Sequence, residues 1–176
     1  MLSFQATLLS LRKNFIWNLV GNVVYAACQW GMVVVLARMT NPEMVGEFAL
    51  GLAVAGPVFM MSQLKLRGVQ ATDSRNEYSF GHYLGLRLVT TAVAAGVVAA
   101  IAWAGHDFRG GAVIMAVGLF KGVESVSDVF YGLMQKHERM DRIAISRLIK
   151  GPLALCAMTI SVALTQDVLW GVLAML

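Results

Sequence analysis

The sequence predicts an all-α fold, a polytopic bundle of transmembrane helices with its N-terminus inside the cell. Hydrophobic residues make up 58% of the 176 positions and charged residues only 14%. The mean hydropathy of +0.68 is far above that of a soluble domain of this length. The apolar residues also fall into long runs separated by short polar stretches, which is the pattern of repeated membrane crossings.

The apolar runs predict five full spans and a truncated sixth. The last run cannot cross a membrane, because nine helical residues rise only about 14 Å against a hydrocarbon core of roughly 30 Å. We therefore expect the chain to be the N-terminal transmembrane bundle of a larger protein. The predicted spans are residues 15–36, 45–64, 82–104, 112–134, 148–165 and 168–176, the last of them incomplete.

The basic residues predict the orientation of the bundle. Of the 14 Lys and Arg residues, eleven would lie on the side of the N-terminus, Arg38 and Arg109 on the other side, and Lys121 within the membrane. The positive-inside rule then places the N-terminus in the cytoplasm. The basic residues alternate between connectors instead of forming one patch, so we expect membrane lipids and no nucleic acid as partners.

The fourth predicted span carries three charges, Lys121, Glu124 and Asp128. Lys121 lies about 14 Å from the outer end, close to the bilayer midplane. Offsets of three and seven place the charges on one helical face, where Lys121 and Glu124 can pair. The set either locks the helix to a neighbour, or lines a wet cavity in which Lys121 meets an anionic group and a carboxylate takes up a proton or cation. The one net negative charge left after pairing favours the wet cavity, because hydrocarbon does not tolerate it.

Polar residues also share one face of the first predicted span. Asn18, Asn22, Tyr25 and Gln29 are separated by intervals of four, three and four, so this face should look into the protein. Amides on such a face either join helices or bind a hydroxyl-rich ligand. Arg87 lies about one turn inside the third span. Its side chain either extends to the lipid headgroups or contacts a phosphate of the ligand.

The connectors contain no motif of an enzyme. They hold no paired aspartates, no Asp-x-x-Asp and no His-rich motif with metal-ligand spacing, so we expect no catalytic residue and no metal site. This argues against a membrane-embedded transferase. The basic stretch 136–147 is expected to lie at anionic headgroups, with contact to a lipid phosphate as the second interpretation.

Three motifs carry a resemblance to a known family. They are the basic pair Arg12 and Lys13 before the first span, the L-A-R-x-x-x-P-x-x-x-G turn of residues 36–46, and the Y-G-x-x-Q-x-x-x-R-M-D sequence of residues 131–141. With them, nearly the whole chain resembles the N-terminal part of polysaccharide-biosynthesis membrane proteins. These are the lipid-linked oligosaccharide (O-antigen type) flippases of the multidrug/oligosaccharidyl-lipid/polysaccharide exporter superfamily.

The resemblance implies a transporter that works by alternating access between two helical bundles. It would move a polyprenyl-diphosphate-linked glycan across the bacterial inner membrane for lipopolysaccharide O-antigen or exopolysaccharide synthesis. The implied partners are a C-terminal half or other polysaccharide-assembly membrane proteins, with no cofactor beyond a coupling proton or Na⁺. By their chemistry, the residues expected to bind substrate or line the cavity are Lys121, Glu124, Asp128, Asn18, Asn22, Tyr25, Gln29 and Arg87.

Two other functions remain open at this point. A cation-coupled multidrug-type exporter of the same superfamily would have the same helical build, although an organic cation would favour an acidic cavity without Lys121. A non-transporting structural subunit or fragment would explain the length of the chain. It explains charges near the midplane less easily.

Overall fold

A computed structural model describes residues 11–73, 77–105 and 107–176, and within these ranges every regular element is an α-helix. The predicted all-α class is therefore confirmed. The helices follow in chain order as α1 (Leu11–Met39), α2 (Pro42–Ser62), α3 (Leu66–Thr72), α4 (Phe80–Gly105), α5 (Phe108–Lys136), α6 (Met140–Thr165) and α7 (Val168–Leu173).

Four stretches of the described chain are long and apolar enough to cross a membrane. They are Arg12–Met39, Pro42–Thr72, Phe80–Gly105 and Met140–Thr165. This confirms a helical membrane bundle. Helix α5 has 29 residues but is not in this group. Three statements stay predictions: the number of spans, the cytoplasmic location of the N-terminus, and the assignment of the chain to a larger protein.

The helix that corresponds to the fifth predicted span starts earlier than the predicted residue 148. Helix α6 begins at Met140, so the connector is only residues 137–139, and Arg147 belongs to the helix. The prediction of a basic connector over residues 136–147 was therefore wrong. Asp141 in the first turn favours a helix start here, and neither Gly nor Pro interrupts the next nine residues. Pro152 lies inside α6, because a membrane helix tolerates an interior proline when its neighbours satisfy the backbone.

The predicted polar connector after α2 contains a short helix, α3. Three residues separate it from α2, and the last two lie in the left-handed region, Leu64 with φ 46° and Lys65 with φ 51°. Such a conformation costs about 1–3 kcal/mol for each non-glycine residue. This break directs α3 against the side of α5, where it carries Arg67 towards the interior.

Helix α5 is the centre of the bundle. It packs against α2, α3, α4 and α7, whereas α1 packs mainly along α6. Gly21 permits the close approach of α1, because a Cβ atom added there would lie 2.8 Å from the Cα atom of Ala144 in α6. We call α2, α3, α4 and α5 the α5 group; α7 packs against both α5 and α6 and so joins this group to the α1–α6 pair.

The bundle is divided in depth into an apolar half and a polar half. The apolar core joins the ends of α1, α4 and α6 to the beginnings of α2, α5 and α7, all at the same end of the molecule. Large apolar side chains on the outside of the bundle, such as those of Trp30, Met60, Trp103 and Leu164, are exposed, as expected of a surface that meets lipid. The apolar core includes Met32, Leu36, Phe48, Val98, Val113, Ile114, Val117, Met158, Val162, Val168 and Val172.

Candidate functional site: a cationic cavity between α1, α5 and α6

A small cavity opens in the polar half, where the α1–α6 pair meets α5. Its volume is about 160 Å³, and polar side chains line it. Three larger pockets, of about 510, 420 and 340 Å³, have mostly apolar linings. We call the small one the polar cavity. The residues that line it are Tyr25, Gln63, Glu124, Asp128, Tyr131, Arg147 and Lys150.

One side of the polar cavity is built around Glu124. The Nζ atom of Lys121 lies 2.8 Å from the Oε2 atom of Glu124, so the two residues pair as their spacing predicts. The Tyr25 hydroxyl of α1 donates a hydrogen bond to the same carboxylate. Gln29 donates from Nε2 to the Tyr25 hydroxyl over 3.1 Å. This chain of contacts joins α1 to α5 across the boundary between the two helix groups.

The other side is built around Asp128, which pairs with two arginines. Arg67 of α3 places Nη1 3.3 Å from Oδ1 of Asp128, and Arg87 of α4 places Nη2 3.2 Å from Oδ2. Arg67 also donates from Nε to Gln135 over 3.0 Å. The Arg87 side chain is 0% exposed, so the expectation that it reaches the headgroups was wrong. A buried guanidinium stays in the protein because a carboxylate on the neighbouring helix neutralises it.

Helix α6 adds two further cations. Arg147 donates to the Asn22 side-chain oxygen of α1, and its guanidinium carbon lies 5.5 Å from the centre of the Tyr131 ring. The Tyr131 hydroxyl lies 2.9 Å from the Ser146 hydroxyl. The Nζ atom of Lys150 lies 5.9 Å from the Phe120 ring centre. Within the described chain, neither Arg147 nor Lys150 has a carboxylate oxygen within 4.0 Å.

The charges around the polar cavity add up to a positive value. Arg147 and Lys150 line the cavity with the carboxylates of Glu124 and Asp128. Three more cations pair with these carboxylates from outside the lining, so the five cations and two carboxylates together carry a formal charge of +3. The one negative charge left on α5 after Lys121 pairs with Glu124 belongs to Asp128, and Arg67 and Arg87 neutralise it. An excess of positive charge with low-dielectric walls attracts anions. We call the five cations the cationic cluster: Arg67, Arg87, Lys121, Arg147 and Lys150.

The structure places the polar residues of α1 at two different levels. Tyr25 and Gln29 are half-buried at the polar cavity, and Tyr25 lines it. Asn22 is exposed and accepts from Arg147, while Asn18 accepts a hydrogen bond from Asn22 over 3.2 Å. The four side chains therefore share one face, but only its central part reaches the polar cavity.

Sequence reasoning missed five residues of this site: Gln63, Arg67, Tyr131, Arg147 and Lys150. The arginines and Lys150 had been counted as residues of the inner headgroup region. The signal that could have found Arg147 and Lys150 is the uninterrupted helical stretch after Asp141, which places them about one turn apart on one helix.

Outside the spans, Asp73 forms a separate ion pair. Its Oδ2 atom lies 3.4 Å from Nζ of Lys136 and 3.3 Å from the Tyr83 hydroxyl. Burial acts to raise the pKa of Asp73, but the backbone N–H of Glu77 and the Lys136 ammonium outweigh it, so the pKa lies below its ordinary value. This pair fixes the end of α3 to the end of α5.

The far end of the bundle holds its own ion pairs. Arg109 lies 3.6 Å from a Glu47 oxygen and 3.5 Å from an Asp167 oxygen, which ties α2, α5 and α7 together. Among the described residues, no group of three or more His, Cys, Asp and Glu side chains is placed to hold a metal ion.

The fold and the polar cavity define a class: a helical membrane protein with charged side chains at a cavity between its helices. The chain belongs to the polysaccharide biosynthesis protein family, whose sequence model matches residues 11–176. This confirms the resemblance seen in the sequence.

A curated relative is the capsular polysaccharide biosynthesis protein CapF of Staphylococcus aureus. It is 31% identical over 137 residues, which cover 76% of this chain and 33% of the relative. The chain thus spans about a third of the length of the curated relative it matches. No solved structure matches the chain.

Proposed function

We propose that this protein takes part in flipping a polyprenyl-diphosphate-linked oligosaccharide across the bacterial inner membrane during polysaccharide biosynthesis. The observation that carries the proposal is the cationic cluster, five cations around two carboxylates within an apolar bundle. Cations in such a place are costly unless an anion or water meets them. Membership of the polysaccharide biosynthesis family supports a glycan carrier as the source of that anion.

A diphosphate suits the chemistry of the cluster. Guanidinium groups bind phosphate oxygens in a bidentate manner, and Arg147 faces the polar cavity without a carboxylate partner in the described chain. The Lys150 ammonium adds a second charge three residues further along α6. The Tyr25, Gln63 and Tyr131 side chains offer the hydroxyl and amide groups that sugars prefer.

The polar cavity must widen for this function. Its 160 Å³ falls below the roughly 300–1,000 Å³ of typical ligand pockets. The cavity lies at the boundary between the α1–α6 pair and the α5 group, where the Tyr25–Glu124 hydrogen bond is a main polar link. Separation of the two groups would open the cavity, which is the kind of rearrangement that alternating access requires.

The proposal includes an orientation and partners. The N-terminus would lie in the cytoplasm, so the polar half of the bundle would face the side where the lipid-linked glycan is made. A C-terminal half or a polysaccharide-assembly membrane protein would complete the transport path. Both carboxylates at the cavity are ion-paired, so a coupling proton or Na⁺ would compete with the cations beside Glu124 and Asp128.

The charge of the site favours this function over the alternatives. An exporter of organic cations would need a negative cavity, whereas this one has an excess of positive charge. A structural subunit would need no polar cavity between its helices.

The test is a double substitution, Arg147→Gln with Lys150→Gln, in the complete gene product. A strain lacking the gene is complemented with the variant, and glycan on the cell surface is measured together with lipid-linked glycan left inside. We expect surface glycan to fall at least tenfold and the precursor to accumulate. Arg142→Gln is the matched control, because Arg142 lies on the same helix but is exposed. Normal surface glycan with the double variant would refute the proposal.

A further inference from the structure

We propose that Asp128 releases Arg67, but keeps Arg87, when an anionic group enters the polar cavity. This inference rests on the proposed function and adds a residue that selects for phosphorylated ligands. The two oxygens of the Asp128 carboxylate have different partners. Oδ1 pairs with Arg67 of α3 at 3.3 Å, and Oδ2 pairs with Arg87 of α4 at 3.2 Å.

The carboxylate stands between the cavity and Arg67. Asp128 lines the polar cavity, whereas Arg67 does not. Both Arg67 and Arg147 lie over the Tyr131 ring, at 5.9 and 5.5 Å from its centre. A phosphate entering beside Arg147 would meet the like charge of Asp128 first. Repulsion is relieved if the carboxylate turns away and Arg67 pairs with the phosphate instead.

The two arginines differ in their ability to change partner. Arg87 is fully buried, and its Nε and Nη1 atoms have no hydrogen-bond partner within the described chain, so Asp128 is its main support. Loss of that carboxylate would leave a buried charge uncompensated. Arg67 is 23% exposed and keeps its hydrogen bond to Gln135 without Asp128. Arg67 is therefore the partner that can be released.

The backbone provides the means for Arg67 to move. Helix α3 has only seven residues and follows the left-handed pair Leu64 and Lys65. A strained two-residue break can act as a hinge, since a small change in its dihedral angles redirects the short helix. Arg87 lies two turns inside the continuous 26-residue α4, and its backbone has no such break beside it. Asp128 thus exchanges its mobile partner and holds its fixed one.

The consequence is selectivity. A ligand without an anionic group has no charge with which to replace Asp128 at Arg67, so the Arg67–Asp128 pair stays intact in its presence. Asp128 therefore determines specificity, because it competes with the anionic ligand for Arg67.

The test measures binding of inorganic diphosphate to the purified complete gene product by calorimetry. We expect Asp128→Asn to lower the Kd about tenfold and Arg67→Gln to raise it about tenfold, within the usual range of coupling between sites. In the double variant, removal of the carboxylate should give no gain, because the gain depends on Arg67. Asp141→Asn is the matched control. That carboxylate also forms an ion pair, with Arg139 at a distance of 3.1 Å, but it does not line the cavity.

A higher Kd for Asp128→Asn would overturn the inference, because Asp128 would then be ordering the arginines for the ligand. If that variant does not fold, amide hydrogen exchange of the wild type decides. Diphosphate should change exchange in α3 several-fold and leave the part of α4 around Arg87 unchanged, and equal responses would overturn the inference. Absence of any diphosphate binding by the wild type would instead count against the proposed function.

Discussion

Replacement of Gly21 by alanine tests the contact that holds α1 against α6. An added Cβ atom would lie 2.8 Å from Cα and 3.1 Å from Cβ of Ala144, whereas ordinary contacts begin at 3.4 Å. The nearest atom is backbone and cannot rotate aside, so the two helices must separate by about 0.5–1 Å. Overpacking of this kind costs about 1–3 kcal/mol.

The matched control is Gly85→Ala on α4, where no atom lies within 4 Å of the added Cβ. Both variants gain the helix propensity of alanine, about 1 kcal/mol, so this gain cancels in the comparison. We expect the free energy of unfolding of Gly21→Ala to be about 1–3 kcal/mol lower than that of Gly85→Ala. The assay is equilibrium unfolding of the two purified proteins in mixed detergent. Stabilities equal to within about 0.5 kcal/mol would refute the close approach of α1 to α6.

Two further predictions follow from single contacts. Tyr25→Phe removes the hydroxyl that donates to Glu124. It should lower the free energy of unfolding by about 1.5–3 kcal/mol, the usual contribution of a hydrogen bond to a charged group. Tyr78→Phe is the control and should change the free energy of unfolding little, because that ring is exposed. Because its folded pKa is lowered, Asp73 contributes stability above its unfolded pKa, and this is lost as pH falls through the folded value. Asp73→Asn should therefore flatten the acid side of the stability profile, measured by unfolding at a series of pH values. An unchanged acid side would contradict the assigned pKa direction.

The fold class was predictable because it depends on composition and on the length of apolar runs, both of which are local. The shared face of Asn18, Asn22, Tyr25 and Gln29 was predictable for the same reason, since helical periodicity alone sets it. The hydrogen bonds between Asn18 and Asn22 and between Tyr25 and Gln29 follow from that periodicity.

The charge of the polar cavity was not predictable, because it depends on which helices become neighbours. Lys121, Glu124 and Asp128 leave one net negative charge on α5, but Arg67, Arg87 and Arg147 approach from three other helices. Each arginine is separated from Asp128 by a different stretch of chain, so no local spacing reveals the cluster. Basic residues near the end of an apolar run look like headgroup contacts until a buried carboxylate is found beside them.

The division of the bundle in depth connects the site to the proposed direction of transport. The apolar core closes one end of the helices, and the cationic cluster occupies the other. With the N-terminus in the cytoplasm, the closed end would face outward and the cationic end would face the site of glycan assembly. An anionic headgroup would then be attracted from the cytoplasmic side, and its release on the other side would require the apolar end to separate. The Arg109 ion pairs to Glu47 and Asp167 join three helices at that end, so they are the contacts that outward opening must break.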